Sequence, residues 1–213
     1  SLDELSRFAE ICYQNDILVV SDEIHGDLVM PGYTLTPYGR LDPTFTEKSI
    51  VCTAASKTFN LAGLKTSNLV IRDPAIRRKM KQEIRASGLW GLNPLGLVAT
   101  QAAYNSCEPW LDEAINYIAA NHEFLCNYLR SLIPKLRAIP VESTYLAWID
   151  CRNLDLEDKS LNALMMDKAK VYLDDGVIFG PEGAGFLRIN LACPRSVLAQ
   201  ALDRIRTAVG NLS

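Results

Sequence analysis

Ile17-Leu18-Val19-Val20-Ser21-Asp22 is a short, nearly unbroken apolar run that stops at a carboxylate. It follows a stretch, residues 3 to about 15, in which Leu5, Phe8, Ala9 and Cys12 share one face of a helix. Asn15-Asp16 breaks that helix. An apolar run of this kind, placed after a helix, suits a strand of a parallel sheet covered on both faces. Ser49-Ile50-Val51-Cys52-Thr53 is a second such strand, and Thr66 to Ile71 is a third. The second leads straight into Ala54-Ala55-Ser56-Lys57-Thr58-Phe59-Asn60-Leu61-Ala62-Gly63-Leu64. Two apolar strands thus end at polar residues, Asp22 and Lys57. Ligands of open parallel α/β sheets sit beyond the carboxyl ends of the strands, and adjacent strands lie only about 5 Å apart. Asp22 and Lys57 are therefore expected to flank one small ligand.

The rest of the chain alternates helices with short strands. Asp73-Pro74 marks a helix start, a capping carboxylate followed by proline at the first helical position; Ile76, Met80 and Ile84 form its buried face. Leu89 to Pro94 is a loop, and a helix follows through Tyr104. A long helix then runs from about Glu108 to Leu132 on the stripe Leu111, Ala114, Ile115, Ile118, His122, Leu125 and Leu129, and Pro134 stops it. After it the pattern changes. Strands are expected at Tyr145 to Asp150, around Val177-Ile178-Phe179, and at Gly185 to Ala192, with helices at 158–170 and 195–211. The expectation is an α/β domain with a mostly parallel sheet, residues 1–115, followed by a small α+β domain, residues 116–213.

Composition narrows the function classes. With 48% apolar and 22% charged residues in a chain of 213, a packed core is expected and disorder is not. A formal net charge of −3 offers no footprint for nucleic acid or an anionic membrane. No apolar run approaches membrane-span length and no signal peptide opens the chain. The six cysteines are scattered without a C-x-x-C pair, and they read as reduced core thiols of a cytoplasmic protein.

A lysine at the carboxyl end of a buried strand is in an expensive place. Burial disfavours its charged form and helps the amine become a nucleophile, as Schiff-base chemistry with an aldehyde requires. The competing reading is a lysine that snorkels out of a loop. Lys57 with an aspartate at a neighbouring strand end suits pyridoxal phosphate: the aldehyde takes the amine, and a carboxylate keeps the pyridine nitrogen protonated. Arginine's fork fits an amino-acid carboxylate. Arg188, inside the apolar alternation Phe186-Leu187-Arg188-Ile189, needs an anionic partner if buried; otherwise it is a strand residue facing solvent.

Val19 to His25 (with Asp22-Glu23-Ile24-His25), Ser56 to Leu64, and Gly185 to Arg195 come in the order, and have the character, of three motifs of fold-type I pyridoxal phosphate enzymes. The chain resembles the MalY/PatB group of cystathionine β-lyases within the class I/II aminotransferase superfamily. Asp-Glu-Ile-His and Phe-Asn-Leu-Ala-Gly-Leu favour the lyase group. The resemblance implies Lys57 as Schiff-base lysine and base for the Cα proton, and Asp22 as partner of the pyridine nitrogen. It places His25 near the cofactor's phenolic oxygen, Ser56 and Lys65 near its phosphate, and Arg188 on the substrate α-carboxylate. The alternatives are a solvated strand-end carboxylate for Asp22 and a locally bonded loop histidine for His25. Asp22-Glu23-x-His25 lacks partner ligands at a spacing that suits a metal. A small, sulfur-containing amino-acid substrate and a homodimer are also implied.

Three departures stand out. Ala54 occupies a position where many relatives have serine, and Lys65 one where many have arginine. The glycines of Gly180 to Gly185 read as a turn rather than a phosphate loop. The family's N-terminal part, with its phosphate loop and ring-stacking aromatic, is not in this sequence, so the chain reads as the C-terminal half of an enzyme. Three activities remain open: a C–S β-lyase yielding pyruvate, ammonia and a thiol; an aminotransferase; and a non-catalytic chain that engages another protein.

Overall fold

Helix α1 (Leu2–Gln14) begins where Ser1 and Glu4 exchange a reciprocal capping box, the Ser1 hydroxyl accepting from the Glu4 amide. A computed structural model of the chain describes residues 1–212. It divides into two units, Ser1–Glu113 and Ala114–Ser213, and the division falls inside the long helix α6 (Glu108–Leu132).

In the first unit, α1 buries Ala9 and Cys12 in a cluster with Val19, Tyr38, Leu41 and Val51, against which Leu5 and Phe45 pack. Phe8, expected on that face, is exposed; it lies one residue, about 100° around the helix, from Ala9 and falls off the edge of the stripe. Strands β1 (Val19–Asp22), β2 (Ser49–Thr53) and β3 (Asn68–Val70) form one sheet in the order β1-β2-β3. β1 and β2 are parallel, with Val19 opposite Ser49 and Asp22 opposite Cys52. β3 runs antiparallel to β2. The link from Thr53 to Asn68 contains only the one-turn helix α3 (Ala55–Thr58) and a 3-10 turn, so the chain folds back without the longer crossover a parallel partner needs. The expected cover on both faces is not found among the described residues: Val19, Ile50 and Val51 are buried, but Val20 is 60% exposed and Leu69 and Val70 are exposed. A short helix, α2 (Pro43–Thr46), precedes β2. Helix α4 (Pro74–Ala86) starts where the Asp73 carboxylate accepts from the amides of Ala75 and Ile76. Its half-buried positions are Ile76, Met80 and Ile84. Helix α5 (Pro94–Ser106) follows, capped by Asn93.

The second unit carries an antiparallel sheet, β4 (Arg137–Ala138), β5 (Leu146–Asp150), β6 (Asp174–Asp175) and β7 (Phe186–Asn190), in the order β4-β5-β7-β6. Ala147, Ile149, Leu187 and Ile189 are buried, as are Leu125 and Leu129 of α6 and Leu198, Leu202 and Ile205 of the last helix, α8 (Arg195–Gly210). Helix α7 (Asp158–Ala163) passes into a π-helical turn, Leu164–Ala169, ending at the left-handed Lys170. The strand expected around Val177-Ile178-Phe179 is a 3-10 turn, Gly176–Phe179, and those three side chains are exposed. The reason is a backbone approach: a Cβ on Gly176 would stand 2.1 Å from the Gly183 carbonyl oxygen, and the converse contact is equally close. Pairing stops at Asp175 and the chain turns between these glycines. Two of the six cysteines, Cys12 and Cys151, are buried and the others are half-buried. Among the described residues no helix is long and apolar enough to cross a membrane.

Asn121 is 0% exposed within the apolar face of α6. Its Nδ2 donates to the carbonyls of Leu191 (2.8 Å) and Cys193 (2.9 Å), and its Oδ1 accepts from Arg195 Nε at 2.6 Å. One amide thus ties the end of β7 to the start of α8. Tyr38 is its opposite, a buried hydroxyl with no hydrogen-bond partner among the described residues, and burial pushes its phenol up from its ordinary pKa. In urea denaturation, Asn121→Ala is expected to cost about 3 kcal/mol, since it strands two carbonyls and a guanidinium, whereas Tyr38→Phe is expected to gain about 1 kcal/mol.

Candidate active site

The carboxyl ends of β1 and β2 lie side by side, and the ladder continues one residue beyond β1: the Glu23 amide donates to the Cys52 carbonyl at 2.8 Å. The two adjacent acids then part company. Glu23 is structural; its Oε1 accepts from the Ser21 hydroxyl (2.9 Å) and the Tyr38 amide (2.7 Å), pinning the loop to the core. Asp22 is exposed, and its Oδ1 accepts from the Ile24 amide at 3.3 Å. Opposite it, burial pushes the Cys52 thiol up, with the charges of Asp22 and Glu23 adding to the effect.

Lys57 does not sit on the strand end itself. It lies in α3, four residues beyond Thr53, and is half-buried. Ala54 and Ala55 are buried and hold the start of this turn against the core. The amides of Phe59 and Leu61 close it, donating to Ala55 (2.9 Å) and Ser56 (2.9 Å), and Asn60 at φ 56° reverses the chain. Ser56, beside Lys57, is half-buried. Lys65 is exposed at φ 52°, at the end of the 3-10 turn Ala62–Leu64. His25 is half-buried in the turn after β1, where its carbonyl accepts from the Leu28 amide at 2.9 Å. Asp22, the last residue of β1, and His25, Ser56, Lys57 and Lys65, on the segments that follow β1 and β2, therefore all lie at or beyond the carboxyl ends of the parallel pair. A carboxylate, an imidazole, a hydroxyl and two amines form a donor set chemically suited to pyridoxal phosphate. Among the described residues no three His, Cys, Asp or Glu side chains group as metal ligands would.

Arg188 belongs to the second unit. On β7 it stands between Trp148 and Asp174 of the flanking strands. Its Nε and Nη2 both donate to Asp174 Oδ2, at 3.0 and 2.7 Å, and its guanidinium lies 4.4 Å from the Phe179 ring centroid. The anionic partner that its apolar surroundings demand is thus Asp174. That pair uses one edge of the guanidinium, and the Nη1–Nη2 edge is a second fork of the shape a carboxylate fits. Burial pushes the Tyr145 phenol up, and the charge of Arg188 opposes that shift.

Several residues around these groups carried no signal in the sequence. Asp174 meets Arg188 only through strand register. Asp27 Oδ2 accepts from the Thr58 hydroxyl (2.9 Å) and from the Tyr104 hydroxyl (3.1 Å), across 31 and 77 residues of chain. Phe59 packs edge-on to Tyr104 at 5.5 Å and lies 6.0 Å from Trp110.

Comparison with known proteins bears on this arrangement. The family described as aminotransferase class I and II matches residues 1–205. Cystathionine β-lyase PatB of Bacillus subtilis is 39% identical over 209 residues, 98% of this chain and 54% of that protein. Protein MalY of Escherichia coli is 31% identical over 208 residues, 97% of this chain and 53% of that protein. Among solved structures, cystalysin from Treponema denticola, which contains pyridoxal 5′-phosphate, matches with a TM-score of 0.98 at 38% identity, over 100% of this chain and 54% of its own. The pyridoxal-phosphate-bound C–S lyase from Staphylococcus hominis matches with a TM-score of 0.87 at 32% identity, over 99% and 55%. The chain spans about half the length of the curated relatives it matches.

Burial, with the charge and hydrogen bond of Asp27 beside it, pushes the Tyr104 phenol up to about 12 from an ordinary 10. The fold therefore favours the protonated phenol. That stabilisation is fully present below pH 10 and is lost as pH rises toward 12. Alkaline melting curves should fall more steeply between these limits for the wild type than for Tyr104→Phe, and the variant should lose one phenolate step in ultraviolet titration.

Proposed function

The chain belongs to the aminotransferase class I and II family, and on that premise we propose that it carries the lysine-bearing half of a pyridoxal-phosphate-dependent C–S β-lyase acting on a small sulfur-containing amino acid. The observation that carries the reading is the parallel pairing of β1 and β2. It brings the loops bearing Asp22 and Lys57 out at one end of the sheet, where such folds bind ligands. The likeness to PatB, MalY and the C–S lyases supports the lyase class over other members of the family.

In this proposal residues 1–115 contribute to the cofactor-binding domain and 116–213 form the small domain. Pyridoxal phosphate, when bound, supplies an aldehyde that condenses with an amine and a ring that withdraws electrons from the substrate Cα. The residues of this chain would do the rest. Lys57 Nζ would hold the group and, as a free amine, would take the proton from the substrate Cα. The Asp22 carboxylate would keep the proton on the pyridine nitrogen. His25 would serve the phenolic oxygen. The Ser56 hydroxyl and the Lys65 ammonium would hold the phosphate, with Lys65 as a point charge where an arginine would add a fork. Arg188 would receive the substrate α-carboxylate on its second fork. Loss of the thiol from Cβ, rather than transfer of the amino group, would leave an aminoacrylate, which water hydrolyses to pyruvate and ammonia. A homodimer and a cytoplasmic location belong to the same reading.

The test is direct. The chain is mixed with pyridoxal phosphate, reduced with borohydride and mapped by peptide mass. A single label at Lys57, abolished in Lys57→Ala, is the expected result. With L-cystathionine, pyruvate formed without a keto-acid acceptor marks the lyase; a requirement for an acceptor marks an aminotransferase. Label spread over surface lysines would overturn the reading and favour a non-catalytic chain. At saturating cofactor, Arg188→Ala is expected to lower kcat/KM at least about a hundredfold, mostly through KM, as loss of a charge-assisted bidentate contact does.

A further inference from the structure

The turn that bears Lys57 is too short to hold itself. Four helical residues provide almost none of the cooperativity that keeps a longer helix folded. Its orientation must come from contacts outside it, and Thr58, the neighbour of Lys57, is the residue that makes one. Thr58 is 3% exposed. A hydroxyl that deep requires an acceptor, and the acceptor is the Asp27 carboxylate at 2.9 Å.

Asp27 is itself well placed. It lies in the second of two overlapping turns, in which Gly26 N donates to the Glu23 carbonyl (2.8 Å) and Leu28 N to the His25 carbonyl (2.9 Å). Leu28 is buried. A Cβ at Gly26 would press to 3.0 Å against both the Glu23 carbonyl oxygen and the Leu35 side chain, so the loop is packed tightly at that point. The same Asp27 oxygen accepts from Tyr104 of α5. The Phe59–Tyr104 edge contact runs beside that bond. Three segments meet at one carboxylate oxygen: the β1 loop with Asp22 and His25, the Lys57 turn, and α5.

We propose that Asp27 is a positioning residue, which holds the Lys57 turn in place by accepting from Thr58 and Tyr104 at once. Its bearing on catalysis rests on the assignment of Lys57 above. Asp27 acts through Thr58 and Tyr104 rather than on a substrate, because both of these observed bonds go to hydroxyls of neighbouring elements. The arrangement links the loop of the pyridine-nitrogen carboxylate to the turn of the reacting amine, so the two cannot drift independently.

Amide exchange and site-specific labelling test this on the whole chain. In Asp27→Ala and in Thr58→Val, the amides of Phe59 and Leu61 should exchange about tenfold faster or more, as loss of a hydrogen bond to a charged group implies. The amides of Val51 in β2 and Leu125 in α6 should stay at wild-type rates. Thr58→Ser, which keeps the hydroxyl, should behave as wild type. The share of borohydride-fixed pyridoxal phosphate found on Lys57, against all other lysines, should fall in the first two variants and recover in the serine variant. Wild-type exchange at Phe59 and Leu61 in Asp27→Ala would overturn the proposal. So would equal acceleration at Val51, which would mean general loosening, or a serine variant as impaired as the valine one. If the wild type takes no label at Lys57, the functional assignment fails by itself, and the exchange comparison still decides whether Asp27 holds the turn.

Discussion

The parallel pairing of Val19–Asp22 with Ser49–Thr53 is the constraint on which the Lys57 region depends. Strand side chains alternate faces, so a slip of one residue would turn Val19 and Val51 out of the core and move every group beyond the strand ends. The cluster of Ala9, Cys12, Val19, Tyr38, Leu41 and Val51 opposes such a slip. Glu23, bonded to Ser21 and to the Tyr38 amide, opposes it from the loop side. The burial that sets the register therefore also sets where Asp22 leaves β1 and where the Lys57 turn leaves β2. The second unit follows a similar logic with different means. Asn121 ties the end of β7 to α8, and Asp174 aligns the guanidinium of Arg188 along one edge.

Adjacent carboxylates in this molecule have divergent fates, and the reason is local geometry rather than residue type. Glu23 has its Oε1 engaged by two donors. Asp22 meets one distant amide and faces solvent. Asp27 takes two hydroxyls on one oxygen. In the proposed function these three acids serve as loop anchor, cofactor partner and turn anchor, within six positions of one another. Arg188 shows the same economy: one edge is held by a permanent partner, which orients the other.

Much of the architecture was legible because its determinants are local. Asp73-Pro74 and Pro134 carry their own start and stop chemistry, and the α6 stripe has a period that only a helix produces. The apolar runs of β1 and β2 marked strands, and the polar residues after them pointed to one end of a sheet; together with Gly185 to Arg195 they pointed to the aminotransferase class I and II family. What was not legible depends on distant pieces of chain. Val177 to Phe179 has strand composition but turns, because Gly176 meets Gly183. The orientation of β3 was set by the shortness of its link. Asp27, Thr58 and Tyr104 converge from separations no pattern exposes, and Asp174 reaches Arg188 only once β6 has paired with β7. Asn121 sits within an apolar stripe that predicts no amide there.

In the proposed function Asp22, at the end of β1, and Lys57, in the turn after β2, address one bound group. A crystal structure of the chain soaked in pyridoxal phosphate tests it most directly. Continuous density is expected from Lys57 Nζ to the cofactor's aldehyde carbon, with an Asp22 carboxylate oxygen within hydrogen-bond distance of the pyridine nitrogen. Density joining the cofactor to any other lysine, or a pyridine nitrogen that faces a group other than Asp22, would contradict it.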